Sequence, residues 1–238
     1  MTSQIITIIL DEFKKGIRDK KILAIIFAYV VFLSVGVRYG LFIGTAAEFF
    51  FLQPKIPLQM VITYYTSAIL LPLFAVLLSF DSISGETFTN SMSLLAVRAN
   101  RMSIILGKYI ASLVIVVGVN LLIYISALVY FYFKTGNIFL KEASIMWVYL
   151  IFYVLAFISI GFFSSVVTNK SNISLWVSVS LVSVLLFMWA RDIFSFLSPF
   201  NYINNIFADT LVKGGGVLLL FAAVGLGVSL LIFKRKNL

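Results

Sequence analysis

The sequence contains no cysteine and no histidine. The first absence excludes disulfides and thiolate chemistry. The two together exclude Cys/His zinc sites, haem held by His or Cys, and Ser-His-Asp or Cys-His hydrolases. No imidazole is available for acid–base work near neutral pH, and the His-Glu-x-x-His zinc-protease pattern cannot be formed. Charge is scarce as well. Asp, Glu, Lys and Arg make up 11% of the 238 residues, where a soluble domain carries about 25%. So little polar surface cannot cover a globule in water, so lipid is the expected solvent for most of the chain.

What is present is apolar: 62% hydrophobic and 16% aromatic residues, with a mean hydropathy of +1.10. A helix rising ~1.5 Å per residue needs about 20 apolar residues to cross a ~30 Å hydrocarbon layer. Six segments qualify: 22–43, 58–80, 104–133, 144–168, 173–194 and 216–233. They are apolar on all sides and longer than the ~10-residue alternating strands of a membrane barrel. The expected fold is therefore all-α, a polytopic membrane protein with six transmembrane helices in a single domain, 1–238. None of the six has Asp, Glu, Lys or Arg in its middle third, so there is no intramembrane relay of the kind proton-driven transporters use.

Residues 3–20 differ in pattern. Ile6, Leu10, Phe13 and Ile17 recur at helical spacing, with Asp11, Glu12, Lys14, Lys15 and Arg18 largely on other faces. The apolar run 5–10 is too short for a signal peptide and lacks a basic leader. The expectation is an amphipathic helix lying in the membrane interface before the first span. At the far end of the chain, the connection 195–215 is too long for a turn and too apolar for a loose loop. Short re-entrant helices before the last span would explain it, provided protein covers their backbone.

The net charge of +9 gives orientation. Lys14, Lys15, Arg18, Lys20, Lys21, Arg98, Arg101, Lys108, Lys170, Lys234, Arg235 and Lys236 fall on one side, twelve of the 18 basic residues. Arg38, Lys55, Lys134, Lys141, Arg191 and Lys213 fall on the other. The bias places both termini in the cytoplasm of a cell-membrane protein. No basic stripe interleaved with aromatics lies outside the apolar segments, so nucleic acid is not expected as a partner.

Few residues offer chemistry. Gly107-Lys108 is followed by Tyr109, and Met102 stands where a phosphate-binding loop needs glycine, so the chain has no nucleotide site of its own. No catalytic group and no metal-ligand set is expected. Thr63, Thr66, Asn120, Ser178 and Ser180 are polar residues inside spans; they either bond neighbouring helices or line a translocation path. Gly36, Gly40 and Gly44 recur every four residues and suit close helix packing. Pro72 removes a backbone hydrogen bond from the second span.

The segment 81–103 between the second and third spans mixes acidic, basic and apolar residues. It reads either as a solvated loop held down by arginines or as a short helix that docks into a partner. Asp81, Ile83, Gly85-Glu86, Leu94-Leu95, Arg98, Arg101 and Leu106-Gly107-Lys108 follow one another across it. That order resembles the signature of ABC-2 type permeases, the membrane subunits of ATP-binding-cassette transporters. Thr89-Asn90-Ser91 replaces the Gly-Thr-Leu often found after the Glu. The resemblance extends over nearly the whole chain, from Asp11-Glu12-Phe13-Lys14 to Ser198-Pro199-Phe200 before the last span.

The resemblance implies a permease dimer, homo- or heteromeric, in contact with membrane lipids. It further implies two copies of a cytoplasmic ATPase subunit that binds the ATP and Mg. It assigns the coupling role to Asp81, Ser82, Ile83, Gly85, Glu86, Thr87, Phe88, Arg98 and Arg101. Glu86 has two readings: a first-turn carboxylate in a helix capped by Ser82 or Ser84, or an ion pair with Arg98, Arg101 or a basic residue near the interfacial helix. With 24 Phe and 11 Tyr, the expected cargo is hydrophobic or amphipathic; the resemblance implies export, of a lipid, peptide or drug. The alternative is a non-transporting membrane scaffold or assembly subunit.

Overall fold

The structure, a computed structural model, describes residues 2–39, 58–89, 91–137, 139–207 and 211–236. These form α1 (Thr2–Arg18), α2 (Lys20–Tyr39), α3 (Leu58–Ser79), α4 (Ser84–Phe88), α5 (Ser91–Arg98), α6 (Arg101–Thr135), α7 (Leu140–Val167) and α8 (Ser171–Ala190). Two 3-10 helices, Ser195–Leu197 and Pro199–Phe207, then lead into α9 (Leu211–Arg235). Among the described residues, five helices are long and apolar enough to cross a membrane, corresponding to α3, α6, α7, α8 and α9. The apolar stretch of α2, Ile22–Gly36, is shorter. The chain is thus an all-helical, multi-pass membrane protein. Gly40 and Gly44, and the outer part of the expected first span, lie outside the described residues.

Helix ends depart from the apolar runs where local chemistry sets the boundary. The 104–133 segment becomes a helix starting at Arg101, because the Asn100 side chain accepts a hydrogen bond from the Met102 amide at 3.2 Å. It stops at Gly136, whose φ of 72° is the left-handed conformation that ends helices. The 173–194 segment ends early, at Ala190. Asp192 and Phe194 both take positive φ, 55° and 49°, and turn the chain back onto the bundle.

Two helices form the centre. In α3 and α7, 78% and 72% of the apolar window is buried, against 22% or less in α6, α8 and α9. The outer three are correspondingly more exposed. Close approach at the centre depends on glycine. A Cβ on Gly161 of α7 would come 1.8 Å from Ser79 Oγ of α3, and one on Gly225 of α9 would come 2.5 Å from Ser159 Oγ of α7. Gly36 of α2 likewise faces Thr66 of α3. Without a hydrophobic drive between helices in lipid, such small-residue contacts carry much of the packing.

The connection after α8 folds over the end of the bundle. The Tyr64 hydroxyl donates to Ile203 O at 2.9 Å, and the Tyr149 hydroxyl to Tyr202 O at 2.6 Å. Phe200 is buried among Tyr153, Phe157 and Trp189. Phe200 and Ile203 are thus buried anchors of this segment, while Phe196 and Leu197 are exposed.

At about 100° per residue, α1 has three faces roughly 120° apart. Ile5, Ile8, Ile9, Glu12 and Gly16 turn toward the bundle and are partly or fully buried, with α6 as their main neighbour. Ile6, Leu10 and Phe13 are exposed apolar residues. Thr7, Asp11, Lys14, Lys15 and Arg18 form the exposed polar face. The side chain of Ile17 lies outside the described residues.

Candidate functional site

The segment after α3 is built to hold a five-residue helix. The chain turns through 80–83, then forms α4 and α5 back to back before entering α6. This is the basal end of the bundle, where α1 and the C-terminal end of α9 also meet.

One side of α4 is held by charge. Glu86 Oε1 accepts from Lys108 Nζ of α6 at 2.8 Å and from Lys15 Nζ of α1 at 2.9 Å. Lys108 Nζ also reaches Glu12 Oε1 of α1 at 2.5 Å. Two carboxylates and two ammonium groups thus alternate across three helices. The Lys108 side chain is 1% exposed and that of Glu86 14%, so the central pair is largely removed from water. Burial would pull the Lys15 ammonium down, but Glu12 and Glu86 outweigh that and hold it above the ordinary lysine range.

The other side is held by hydroxyls. Ile83, at the N-cap of α4, carries no polar side chain, and neither Ser82 nor Ser84 caps the helix. The cap comes from α7 instead. Ser165 Oγ accepts from the Ile83 amide at 2.9 Å and from the Ser84 amide at 3.0 Å. Ser174 of α8 donates to Phe80 O at 2.7 Å, and Ser84 donates to the same carbonyl at 3.0 Å. Ile83, Ser84, Ser165 and Ser174 are all fully buried. A buried hydroxyl must find a partner, and two orphan amides at a helix start must find an acceptor.

The remaining residues of the segment fit around this frame. Asp81 lies over Gly85, where a Cβ would come 2.4 Å from Oδ1, so the Gly-Glu pair has a steric basis. Asp81 Oδ1 is itself buried without a hydrogen-bond partner. Thr87 Oγ1 donates to Ile83 O at 2.8 Å, within the helix. Phe88 points outward, 65% exposed, and Val97 of α5 is 87% exposed.

Of the partners expected for Glu86, the basic residue of α1 is the one found, Lys15, and Arg101 does not pair with it. Arg101 reaches across to α9, donating to Lys234 O at 3.0 Å and Lys236 O at 2.8 Å. The side chain of Arg98 lies outside the described residues. Carbonyls at a helix C-terminus attract cations, and this pull outcompetes a carboxylate already shared by two lysines. Lys236 in turn donates to Val166 O and Thr168 O at the end of α7; burial holds it below the ordinary lysine value.

The polar residues inside spans do not line one passage. Thr63, Thr66, Asn120 and Ser178 are buried, while Ser180 faces outward. Thr66 returns its proton to Ile62 O, and Ser178 pairs with Ser164 and Ser174 O. Asn120 has no hydrogen-bond partner, and no water-sized space is left beside it. Among the described residues no group of three or more carboxylates is placed to hold a metal ion.

Sequence reasoning missed Glu12, Lys15 and Lys108 as one cluster, and Ser165 and Ser174 altogether. Lys108 carried a signal: a lone lysine at the edge of an apolar run, beside Gly107, needs a countercharge. Gly107 lets α1 approach, since a Cβ there would come 2.7 Å from Ile8 Cγ2. The two serines carried none.

A family model described as ABC-2 family transporter protein matches residues 6–238. No curated protein matches the chain.

Proposed function

Since the chain belongs to the ABC-2 family of transporter proteins, we propose that it is the membrane-spanning subunit of an ATP-driven exporter of hydrophobic or amphipathic molecules. It crosses the membrane six times, with α2 as the first span, α1 in the interface and both termini in the cytoplasm. Two copies of the permease, identical or not, work with two cytoplasmic ATPase subunits, which bind the ATP and Mg. α4 and α5 dock on the ATPase through Phe88, Val97 and their neighbours.

The observation that carries this reading is the fastening of α4. A docking helix joined to α1, α6, α7 and α8 at once cannot tilt alone. When the ATPase binds it differently in two nucleotide states, the difference in contact energy shifts the long helices between two arrangements. Asp81, Gly85, Glu86, Thr87 and Ile83 shape and hold the element; Thr63, Thr66, Asn120 and Ser178 stay in reserve as path residues that such a shift would uncover.

The test is reconstitution of the chain with the ATPase that copurifies with it, in vesicles containing a fluorescent lipid. Transport should require ATP and persist when the proton gradient is collapsed. Transport driven by a pH gradient without ATPase would overturn the reading, and a stable complex that moves no solute would favour the scaffold alternative. Because the chain has no cysteine, a single cysteine at Val97 should label only after permeabilisation, and one at Asn137 from outside.

A further inference from the structure

The charges at the basal end are sorted by corner. Its carboxylates, Asp11, Glu12, Asp19, Asp81 and Glu86, lie on α1, at the α1–α2 junction and around α4. The ion pairs made there are with Lys15 and Lys108. The corner formed by the ends of α7 and α9 and the start of α8 is different. Segments 164–176 and 227–236 contain Lys170, Lys234, Arg235 and Lys236 and no Asp or Glu. Lys236 draws them together, its Nζ on Val166 O at 2.8 Å and on Thr168 O at 3.0 Å, two residues before Lys170. Arg101 of α6 adds a further positive charge, donating to Lys234 O and Lys236 O. Carbonyls accept these bonds without a full countercharge; the ends of α7 and α9 offer about half a unit each. Lys170 and Arg235 are exposed, with no side-chain partner among the described residues.

From these two cations the helices lead straight into apolar surface. Phe221, Val224, Val228, Leu231 and Arg235 follow at spacings of three or four on one face of α9. Lys170, at the N-cap of α8, precedes Leu181 by about three turns and Val184 by about four, at the foot of the same face. Those two faces line an apolar groove of about 290 Å³, with α7 as its floor. Val184, Val224 and Val228 on its rim are exposed, so it opens on the outside of the bundle. Its one polar side chain, Ser159, donates to Ala156 O at 2.6 Å.

Uncompensated cations at the foot of an apolar groove match an amphiphile with an anionic head. A free phosphate has no use for the groove, and a lipid without net charge gains little from the cations. We propose that this corner binds one anionic phospholipid of the leaflet at the basal end. Its phosphate lies between Lys170 and Arg235, in the field of Arg101, Lys234 and Lys236. One acyl chain passes Leu231 and enters the groove between Val184 and Val224. Basic side chains where helices leave the hydrocarbon layer attract anionic headgroups in this way. The site stands independently of the transport reading.

The full chain, in phosphatidylcholine nanodiscs, is given phosphatidylglycerol or phosphatidylcholine in trace amount, each with a photoactivatable group on its acyl chain, and crosslinked peptides are mapped. The glycerol probe should label α9 near Val224 at least about tenfold more than the choline probe, since each cation at a headgroup contributes about fivefold. Lys170→Gln should lower that preference about fivefold, and Lys170→Gln with Arg235→Gln should bring the two probes close to equal. Both side chains are exposed, so the packing is left intact. Lys14→Gln, the same loss of charge on the exposed face of α1, should change the preference by less than about twofold. Val184→Trp, at the rim of the groove, should reduce the labelling of α9. Equal labelling by both probes in the wild type would overturn the proposal. So would a preference that Lys14→Gln lowers as far as Lys170→Gln does, which would mark a general attraction of anionic lipid to a basic protein. A preference untouched by the double variant would overturn it as well and leave the corner to an acidic protein surface.

Discussion

The two sides of α4 are fastened by different physics. Toward α1 and α6 the bonds are between charges: Lys108 and Lys15 meet at Glu86, and Glu12 closes the chain. Toward α7 and α8 they are between neutral groups, with Ser165 on two amides and Ser174 on a carbonyl. Each neutral hydrogen bond contributes about 1 kcal/mol, and leaving its buried partner unsatisfied costs about 1–3 kcal/mol. A buried ion pair contributes little net stability, yet removing one partner costs about 3–5 kcal/mol, because an uncompensated charge stays behind. The charged side is therefore intolerant of single changes, whereas the hydroxyl side sets position by several small, separable contacts.

The sharpest way to break this contrast is Lys108→Met. Glu12 and Glu86 would then face each other without the buried cation. Thermal unfolding of the purified chain should show a loss of about 3–5 kcal/mol, and Lys108→Met combined with Glu86→Gln should recover part of it. Simple addition of the two losses would show that the groups act independently.

A smaller effect is expected from Gly161→Ala. Its Cβ would meet Ser79 Oγ at 1.8 Å and Ser79 Cβ at 2.9 Å, so α3 and α7 must separate. Overpacking of this kind costs about 1–3 kcal/mol. Ser79→Gly in the same chain should relieve it, again read by thermal unfolding.

Ser165→Ala removes the cap on α4 at a cost of about 1 kcal/mol. If the hydroxyl side sets the position of the docking helix, the transport obtained per ATP hydrolysed should fall more than stability does. An unchanged ratio in reconstituted vesicles would show that the cap is merely structural.

The smallest effect is expected at Lys15, whose side chain is 57% exposed. Lys15→Gln should cost at most about 1 kcal/mol, and less at high salt. The raised pKa fixes the sign of its pH dependence. The folded state holds the proton more tightly than the unfolded state, so the contribution is complete below the unfolded lysine value. It is lost only as pH rises through the higher folded value. The stability difference between wild type and Lys15→Gln should thus stay flat from about pH 6 to about pH 9.

Much of the frame was legible because apolar length is a local property. Five long helices follow from runs that only lipid can solvate; α1 was legible as a helix, but the stripe of Ile6, Leu10 and Phe13 is exposed, and the face that packs on the bundle, Ile5, Ile8, Ile9, Glu12 and Gly16, was not read. The segment between the second and third expected spans was legible by its order, Asp81 through Gly85-Glu86 to Gly107-Lys108. Its fastening was not. Ser82 and Ser84 sit at the right place in sequence to cap α4, yet the cap comes from Ser165, 82 residues from Ile83. Arg101 stands nearer to Glu86 in sequence than Lys15 does, but the carbonyls at the end of α9 hold it elsewhere.

By itself, the sequence determined the solvent, the helices, the absence of a phosphate-binding loop and the family. Those depend on composition and on spacing within one segment, where the nearest neighbours are known in advance. Only the tertiary structure decided which serine meets which amide and which lysine meets which carboxylate. Hydroxyls and single charges have many equivalent partners along a chain. The choice among them falls to whichever helix faces are brought within about 3 Å once the bundle has packed.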